Sequence, residues 1–418
     1  MVQRNLGAVH VAALLVSASY GVAFLLGSGE MAVHTGMVGS LYAIVTALGM
    51  VALALAAPTL WRGRELIWDA FGERYGPAVR KLVALLSLVW MSGVLAAQIH
   101  GGIAVLVAVG LPATDALVVV AAALLVMSSV ELGMAAMLFA FCLLATNIAL
   151  LHALIQSNGL SVYLHAWPSF IHGIGNAPPA ETVVNTAAIG FLVVTGSDYQ
   201  QFVIAACRPR DAWLGCALAS IFLTVTGFVP AATVVAALHA GKLFGMTDAA
   251  TAIPWIMLQT GGGMGLLFIG VILLAAVGSG TAVTRAMACA VEGLRPVAGR
   301  HGHAPRILII AMGCAIASDG QAIVSTIISL NIVYVAAIGL LFVLHETGRQ
   351  VAPRCAPLMI LSGAATALTV TGARCAGVSS LPVWLPLPAG LAASACVLAA
   401  WHVELVRRRA RSSNRPLL

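Results

Sequence analysis

Long apolar runs recur along the whole chain, and short polar segments separate them. A helix needs about 20 mostly apolar residues to cross the hydrocarbon of a bilayer. The pattern predicts twelve such helices over residues 8–30, 37–60, 82–110, 113–130, 133–156, 182–206, 211–239, 262–293, 305–318, 321–345, 355–373 and 382–405. The sequence therefore predicts an all-α polytopic membrane protein with about 12 transmembrane helices.

The distribution of lysine and arginine supports this helix count, because cytoplasmic loops of membrane proteins are enriched in both residues. With both termini in the cytoplasm, 18 of the 21 Lys and Arg residues fall in cytoplasmic segments. Lys242 and Arg374 fall outside, and Arg285 lies within the eighth helix. One helix too many or too few would exchange inside and outside for the segments that follow it, and the basic residues would then no longer fall on one side. Residues 406–418 then form a basic cytoplasmic tail, which can also attract anionic membrane lipid.

Composition agrees with this class of protein. Hydrophobic residues make up 61% of the chain, charged residues 8%, and the mean hydropathy is +1.02, which is far from a soluble globular composition. The net charge of +7 comes from short loops and the C-terminus, so it does not indicate a nucleic-acid partner. The eight cysteines lie mostly inside predicted helices without CxxC spacing, which favours small buried residues over a metal or disulfide role.

Asp198 lies inside the sixth predicted helix, directly after Thr195, Gly196 and Ser197. A carboxylate at bilayer depth is energetically costly and usually faces a bundle interior or a cavity. The Thr-Gly-Ser run can interrupt a helix, and broken membrane helices with polar groups near the midplane often bind a small solute or ion. The sequence predicts a ligand site here, although Asp198 could instead be a structural cap of the second half of the helix.

The order of these features resembles the sodium:solute symporter family, whose core is the LeuT-like fold of five plus five inverted-repeat helices. Four segments carry the likeness: residues 19–43 resemble the broken first core helix, 64–81 the short cytoplasmic helix, 198–212 the sixth helix and its following loop, and 275–284 the eighth-helix stretch. The resemblance implies two inverted repeats (helices 1–5 over residues 8–156 and helices 6–10 over 182–345) and two accessory helices over 355–405.

The chain departs from the family pattern in two places. Family members usually begin with an extra helix, whereas the first helix here already resembles core helix one. The eighth helix of the family normally carries adjacent hydroxyl residues and then an aspartate. Here Gly280 separates Ser279 from Thr281, and Val283 stands where the aspartate would fall.

The resemblance implies a sodium site between the first and eighth helices. Its ligands would be backbone carbonyls at the break of helix one, with carbonyl and hydroxyl oxygens of helix eight. The expected contributors are Ala18, Gly21, Ala276 or Val277, and Ser279 or Thr281. Alternatively, the small residues of this stretch serve only to let helices approach closely.

The resemblance also implies a solute site between broken helices one and six, where helix ends offer free N–H and C=O groups. The candidate residues are the polar and aromatic side chains of these helices and one glutamine of helix three: Ser17, Ser19, Tyr20, Phe24, Thr195, Ser197, Asp198, Gln201 and Gln98.

These features favour a symporter that moves a small polar solute by alternating access, coupled to Na⁺. Asp198 favours a solute with an amine, such as an amino acid; other amine or carboxylate metabolites lie within the family's range. The alternatives are a proton-coupled or uncoupled transporter and a solute sensor. No motif of enzyme chemistry is present, so an enzyme is not expected. Short loops and an Ala-, Arg- and Gly-rich composition suggest a bacterial inner membrane, and the sequence indicates no oligomeric state.

Overall fold

The computed structural model describes residues 4–130, 132–246, 248–294, 304–318, 323–349, 351–375 and 381–413. The main helices are α1a (Ala8–Ser19), α1b (Ser28–Thr35), α2 (Leu41–Gly63), α3 (Pro77–Ala108), α4 (Ala113–Met127), α5 (Leu132–Gln156), α6a (Pro179–Thr195), α6b (Ser197–Ile204), α7a (Pro209–Thr226), α7b (Val229–His239), α8 (Gly265–Leu294), α9 (Ala304–Ala317), α10 (Ile323–Glu346), α11 (Ala356–Cys375) and α12 (Pro386–Ser413).

Eight helical stretches in the described residues are long and apolar enough to cross a membrane. They contain the expected helices 2, 3, 6, 7, 8, 10, 11 and 12. The expected helices 1, 4, 5 and 9 correspond to shorter apolar helices, Ala8–Ser19, Ala113–Met127, Leu144–Gln156 and Ala304–Ala317. The protein is thus an all-α polytopic membrane protein, as the hydrophobic pattern predicts.

Two of the helices are broken near their middle. Helix one stops at Ser19 and resumes after Tyr20 and Gly21 through a π-helical turn, Ala23–Gly27. Helix six is interrupted at Gly196, whose backbone is extended (φ −66°, ψ 118°). The prediction that the Thr-Gly-Ser run interrupts helix six is confirmed. Each break leaves backbone N–H and C=O groups without partners in their own helix.

A short helix, Ile67–Tyr75, joins α2 to α3, as the sequence predicts. It buries Ile67, Trp68, Phe71 and Tyr75 on one face and presents charged residues on the other. It ends at Gly76, whose φ of +98° suits glycine, and Pro77 then begins α3. Consequently α3 begins five residues before the expected position 82.

Two other helices differ from the expected boundaries. The seventh helix is not continuous over 211–239, because it turns at Gly227 and Phe228, where Pro230 cannot donate a backbone hydrogen bond. Helix α12 begins at Pro386 and continues to Ser413, so residues 406–413 of the expected basic tail are helical. The expected start of the tenth helix at residue 321 lies outside the described residues, as do residues 414–418.

Candidate functional site at the two broken helices

The break of helix one separates a donor and an acceptor that an unbroken helix would join. In a continuous α-helix the N–H of Val22 would bond to the C=O of Ala18, four residues earlier. Instead, Val22 N donates to Gln98 Oε1 on α3 (2.7 Å), and the hydroxyl of Ser279 on α8 donates to Ala18 O (2.7 Å). Two buried side chains from other helices therefore complete the broken end.

Gly21 lies between these two side chains. A Cβ atom added at Gly21 would lie 2.5 Å from Ser279 Oγ and still closer to Gln98 Oε1. Real Cβ atoms do not approach oxygen so closely, so only glycine fits here. The oxygen atoms of Ser279 and Gln98 therefore approach the backbone at Gly21 closely, next to the carbonyl of Ala18, and we call the place where these oxygens meet the cradle.

The remaining candidates of helix eight divide between its two sides. Ala276 is buried and lies three residues before Ser279, so the two share one face of α8. Thr281 lies two residues after Ser279, nearly opposite around the helix, so the two hydroxyls cannot face the same point. The structure therefore brings Ala18, Gly21 and Ser279 together, while helical spacing puts Ala276 on the same face of α8 as Ser279 and Thr281 on the opposite one.

Thr281 differs from the other buried threonines in the described part of the chain. The six others each donate to the carbonyl four residues earlier: Thr46, Thr146, Thr195, Thr226, Thr233 and Thr284. The hydroxyl of Thr281 is buried and has no hydrogen-bond partner among the described residues. Its lack of a local bond distinguishes it, but its position keeps it away from the cradle.

Asp198 is buried in the first turn of α6b, immediately after the break of helix six. The positive end of the α6b dipole favours a carboxylate at this position. Its Oδ1 atom has no hydrogen-bond partner among the described residues. The carboxylate interacts electrostatically with three tyrosines: Tyr42 on α2, Tyr199 on α6b and Tyr334 on α10. The carboxylate thus lies in an aromatic environment with one oxygen available.

The other candidates of helix six surround the same break. Gln201 Nε2 donates to the carbonyls of Asp198 (2.9 Å) and Ala282 (3.3 Å), which ties α6b to α8. The hydroxyl of Ser197 contacts Met91 Sδ on α3 at 3.4 Å. The carbonyl of Thr195, freed by the break, accepts from the hydroxyl of Tyr334 at 3.4 Å.

The candidates of helix one do not all face helix six. The hydroxyl of Tyr20 donates to Asn147 Oδ1 on α5 (2.6 Å), and its ring centroid lies 4.4 Å from that of Phe24. Ser19 donates to Leu15 O within α1a and also interacts with Tyr199. Ser17 is buried. Within the described part of the chain, Ser19 is therefore the candidate of helix one whose side chain interacts with α6b.

Three side chains of the site were not among the predicted residues. Tyr42 and Tyr334 interact electrostatically with Asp198, and Asn147 accepts the hydrogen bond of Tyr20. Asn147 could have been found, because it is an amide near the middle of a mostly apolar predicted span, where polar residues usually have a role. Nothing in the sequence spacing joins Tyr42 or Tyr334 to helix six.

Contacts on both sides of the two breaks hold helix one in place. At the face that carries the N-terminus, Leu6 N donates to Ala205 O (3.1 Å) and Cys207 N donates to Leu6 O (2.8 Å). Trp61 Nε1 donates to Ala206 O (2.8 Å), and the Arg4 guanidinium lies 3.7 Å over the Trp61 ring. We call these contacts the N-terminal clasp.

At the opposite face, Glu30 Oε2 accepts from Ile323 N, the first amide of α10 (3.1 Å). The side chain of Val324 also packs against Gly27, so that no larger residue fits there. The residues before α1a are therefore joined to the segment that follows α6b at one face, and α1b is joined to α10 at the other.

Solved structures of membrane transporters are similar to this chain. A Na⁺-coupled sialic acid symporter in a substrate-bound outward-open state has a TM-score of 0.75 at 12% identity, over 94% of this chain and 89% of that chain. A nucleobase–cation symport-1 family transporter with bound bromovinylhydantoin has a TM-score of 0.59 at 18% identity, over 96% and 93%. A manganese transporter of Eremococcus coleocola has a TM-score of 0.52 at 14% identity, over 96% and 95%.

No family model and no curated protein sequence matches the chain. At these identities the structural likeness establishes the fold, and the fold is LeuT-like.

Proposed function

We propose that this protein is a secondary active transporter that moves a small polar solute by alternating access, coupled to Na⁺. The LeuT-like fold and its similarity to the transporters above support the class. The two broken helices support the location, because each break exposes backbone groups next to buried polar side chains. The sequence resemblance to sodium:solute symporters supports sodium as the coupling ion.

The contact between Ser279 and Ala18 is the observation that carries the sodium proposal. It joins α8 to the broken end of α1a at the position where the resemblance implies the ion. Sodium is a hard cation that prefers oxygen ligands, and the cradle beside Gly21 is bordered by such oxygens. The residues Ala18, Gly21, Ala276 and Ser279 fit a sodium site, whereas Thr281 lies too far around α8 to join them.

The solute would bind between helices one and six, next to Asp198. The Oδ1 atom of Asp198 is buried without a partner among the described residues, and leaving a charged group unsatisfied is costly. An amine of the solute would satisfy it, while the rings of Tyr42 and Tyr334 would contact the rest of the molecule. This arrangement supports a solute with an amine, such as an amino acid.

Solute-dependent thermal stability, followed by uptake, tests the proposal. The purified protein is screened in NaCl against amino acids, other amines, carboxylates and sugars, because a ligand of the folded state raises its stability. Each stabilising solute is then supplied, in labelled form, to proteoliposomes with an inward Na⁺ gradient. We expect uptake that stops when the gradient is dissipated. Saturable binding without uptake would instead indicate a solute sensor.

Proton coupling through Asp198 is a second candidate, because a buried carboxylate with a free oxygen could carry a proton as well as bind an amine. In that case an inward proton gradient would drive uptake in the absence of Na⁺. Asp198→Asn would abolish this proton-driven uptake, whereas Ser279→Ala would leave it intact.

The bacterial inner membrane is the proposed location, with both termini in the cytoplasm. The N-terminal clasp brings Arg4, Trp61 and Ala206 together, so the basic residues Arg62 and Arg208 that adjoin them lie on the same face. This agrees with the enrichment of positive charge on the cytoplasmic side. Cys207 is exposed on that face. Retained as the only cysteine, it should react with an impermeant thiol reagent in inside-out vesicles but not in right-side-out vesicles.

A further inference from the structure

Gly280 is the position at which α8 lacks the hydroxyl that the resemblance implies beside Ser279. A Cβ atom at Gly280 would lie 3.4 Å from Gln98 Cβ and 3.8 Å from Gln98 Cγ. The side chain of Gln98 therefore crosses α8 at this glycine on its way to the break of helix one. The space that a serine or threonine would use at position 280 lies beside the stem of Gln98.

The end of the Gln98 side chain reaches the same cradle as Ser279. Its Oε1 accepts from Val22 N and borders the missing side chain of Gly21 together with Ser279 Oγ. An amide oxygen has two acceptor positions, and Val22 takes one of them. The hydroxyl of Ser279 donates a hydrogen bond to the Ala18 carbonyl, and its oxygen lone pairs stay available. Both oxygens can therefore coordinate a cation without losing the bonds that hold helix one.

We infer that Gln98 is a ligand of the sodium ion, contributed by α3 in place of the hydroxyl absent at position 280. The inference rests on the proposed sodium coupling and adds a ligand to it. The ligand set is then the Ala18 carbonyl, the Ser279 hydroxyl and the Gln98 amide oxygen, all uncharged oxygens of the kind that hard cations take. Gln98 is only 3% exposed, so bulk water does not hydrogen-bond to its oxygen.

This ligand set links the ion to three helices. An ion held only by helices one and eight would couple those two elements. With Gln98 as a ligand, sodium also fixes the broken end of α1a to α3, which packs against both. Sodium release would then loosen helix one from α3 as well as from α8.

Sodium titration of thermal stability in matched variants tests this inference. The first pair is Gln98→Ala and the control Asn331→Ala, which removes another buried amide that hydrogen-bonds across helices, in this case by donating to Ala188 O. The second pair, Q98A/G280S and Q98A/G280A, adds the same Cβ at position 280 with or without a hydroxyl. Leu124 Cδ2, 2.6 Å from that Cβ, must shift equally in both. Choline chloride replaces NaCl in the reference series.

The Kd for Na⁺ should rise about tenfold or more in Gln98→Ala, the effect of losing one bond to a charged group, and stay unchanged in Asn331→Ala. The hydroxyl of Q98A/G280S should lower the Kd by about fivefold or more relative to Q98A/G280A. An unchanged Kd in Gln98→Ala would overturn the role of Gln98 and leave sodium coupling standing. Absence of any sodium-specific stabilisation in the natural protein would overturn both.

If Gln98→Ala does not fold, Gly280→Ser is compared with Gly280→Ala while Gln98 is retained. The added hydroxyl should lower the Kd for Na⁺ relative to Gly280→Ala. Equal Kd values in the two variants would contradict a cradle beside position 280 that binds sodium.

Discussion

Gln98 accepts a hydrogen bond from Val22 N and Ser279 donates one to Ala18 O, and these two bonds replace the one that Val22 and Ala18 would form in an unbroken helix. One side chain accepts and the other donates, so the break of helix one is maintained without an unsatisfied backbone group at these positions. Unpaired backbone groups are costly in a membrane interior. The same pairing brings oxygen atoms together, which explains how one arrangement can both hold a broken helix and bind a cation.

Replacing Ser279 with alanine should weaken sodium binding. The variant loses the hydroxyl that borders the cradle, so we expect the Kd for Na⁺, measured from thermal stability, to rise about tenfold. Ser220→Ala is a matched control, because Ser220 Oγ also donates across helices, to Ala47 O at 2.8 Å. Equal loss of sodium affinity in both variants would show that general loosening, rather than a lost ligand, is responsible.

Replacing Gly21 with alanine should lower the melting temperature and abolish the response to sodium. The new Cβ would fill the cradle and push Ser279 Oγ and Gln98 Oε1 apart, and overpacking of this kind typically costs about 1–3 kcal/mol. Gly270→Ala is the control, because no atom lies within 4 Å of a Cβ at that position in α8. A Gly21→Ala protein that keeps its sodium response would place the ion elsewhere.

Replacing Asp198 with asparagine should weaken binding of an amine solute by about tenfold or more, since a charge-assisted bond is lost. Asparagine remains a good residue for a helix N-terminus, so the fold should survive. The Kd for Na⁺ should stay constant, because the carboxylate interacts electrostatically with Tyr42 and Tyr334, whereas the cradle is formed by Ala18, Gln98 and Ser279. Unchanged solute affinity in the variant, measured by thermal shift, would leave Asp198 as a structural cap only.

Replacing Trp61 with phenylalanine should loosen the N-terminal clasp. The ring under Arg4 remains, but the indole N–H that donates to Ala206 O is lost. We expect amide hydrogen exchange around Leu6 and Cys207 to accelerate about fivefold, which corresponds to about 1 kcal/mol. Trp213, an exposed tryptophan of α7a, provides the control substitution Trp213→Phe. Equal exchange in both variants would show that the indole bond does not hold the clasp.

The helices and their breaks could be predicted from sequence because the signals are local. Apolar length marks the spans, and Gly196 after Thr195 marks the interruption of helix six. The partner of each broken end could not be predicted in the same way. Gln98 meets Val22, and Ser279 meets Ala18, only after helices distant in sequence have packed together.

Local geometry also limits the candidate site more than composition does. Helical spacing alone separates Thr281 from Ser279, so these two hydroxyls were never equivalent candidates. Tyr20, by contrast, lies at the break as predicted, yet its hydroxyl bonds to Asn147 on α5. The direction of a side chain at a helix break depends on the neighbouring helices, which spacing does not reveal.

Thermal stability of the natural protein in increasing NaCl, with choline chloride as the reference, tests the central claim most directly. A sodium ion bound in the folded state should raise the melting temperature in a saturable manner. We predict a sodium-specific rise that Ser279→Ala shifts to higher concentration and Ser220→Ala does not. Identical melting temperatures in the two salts would contradict sodium binding at the break of helix one.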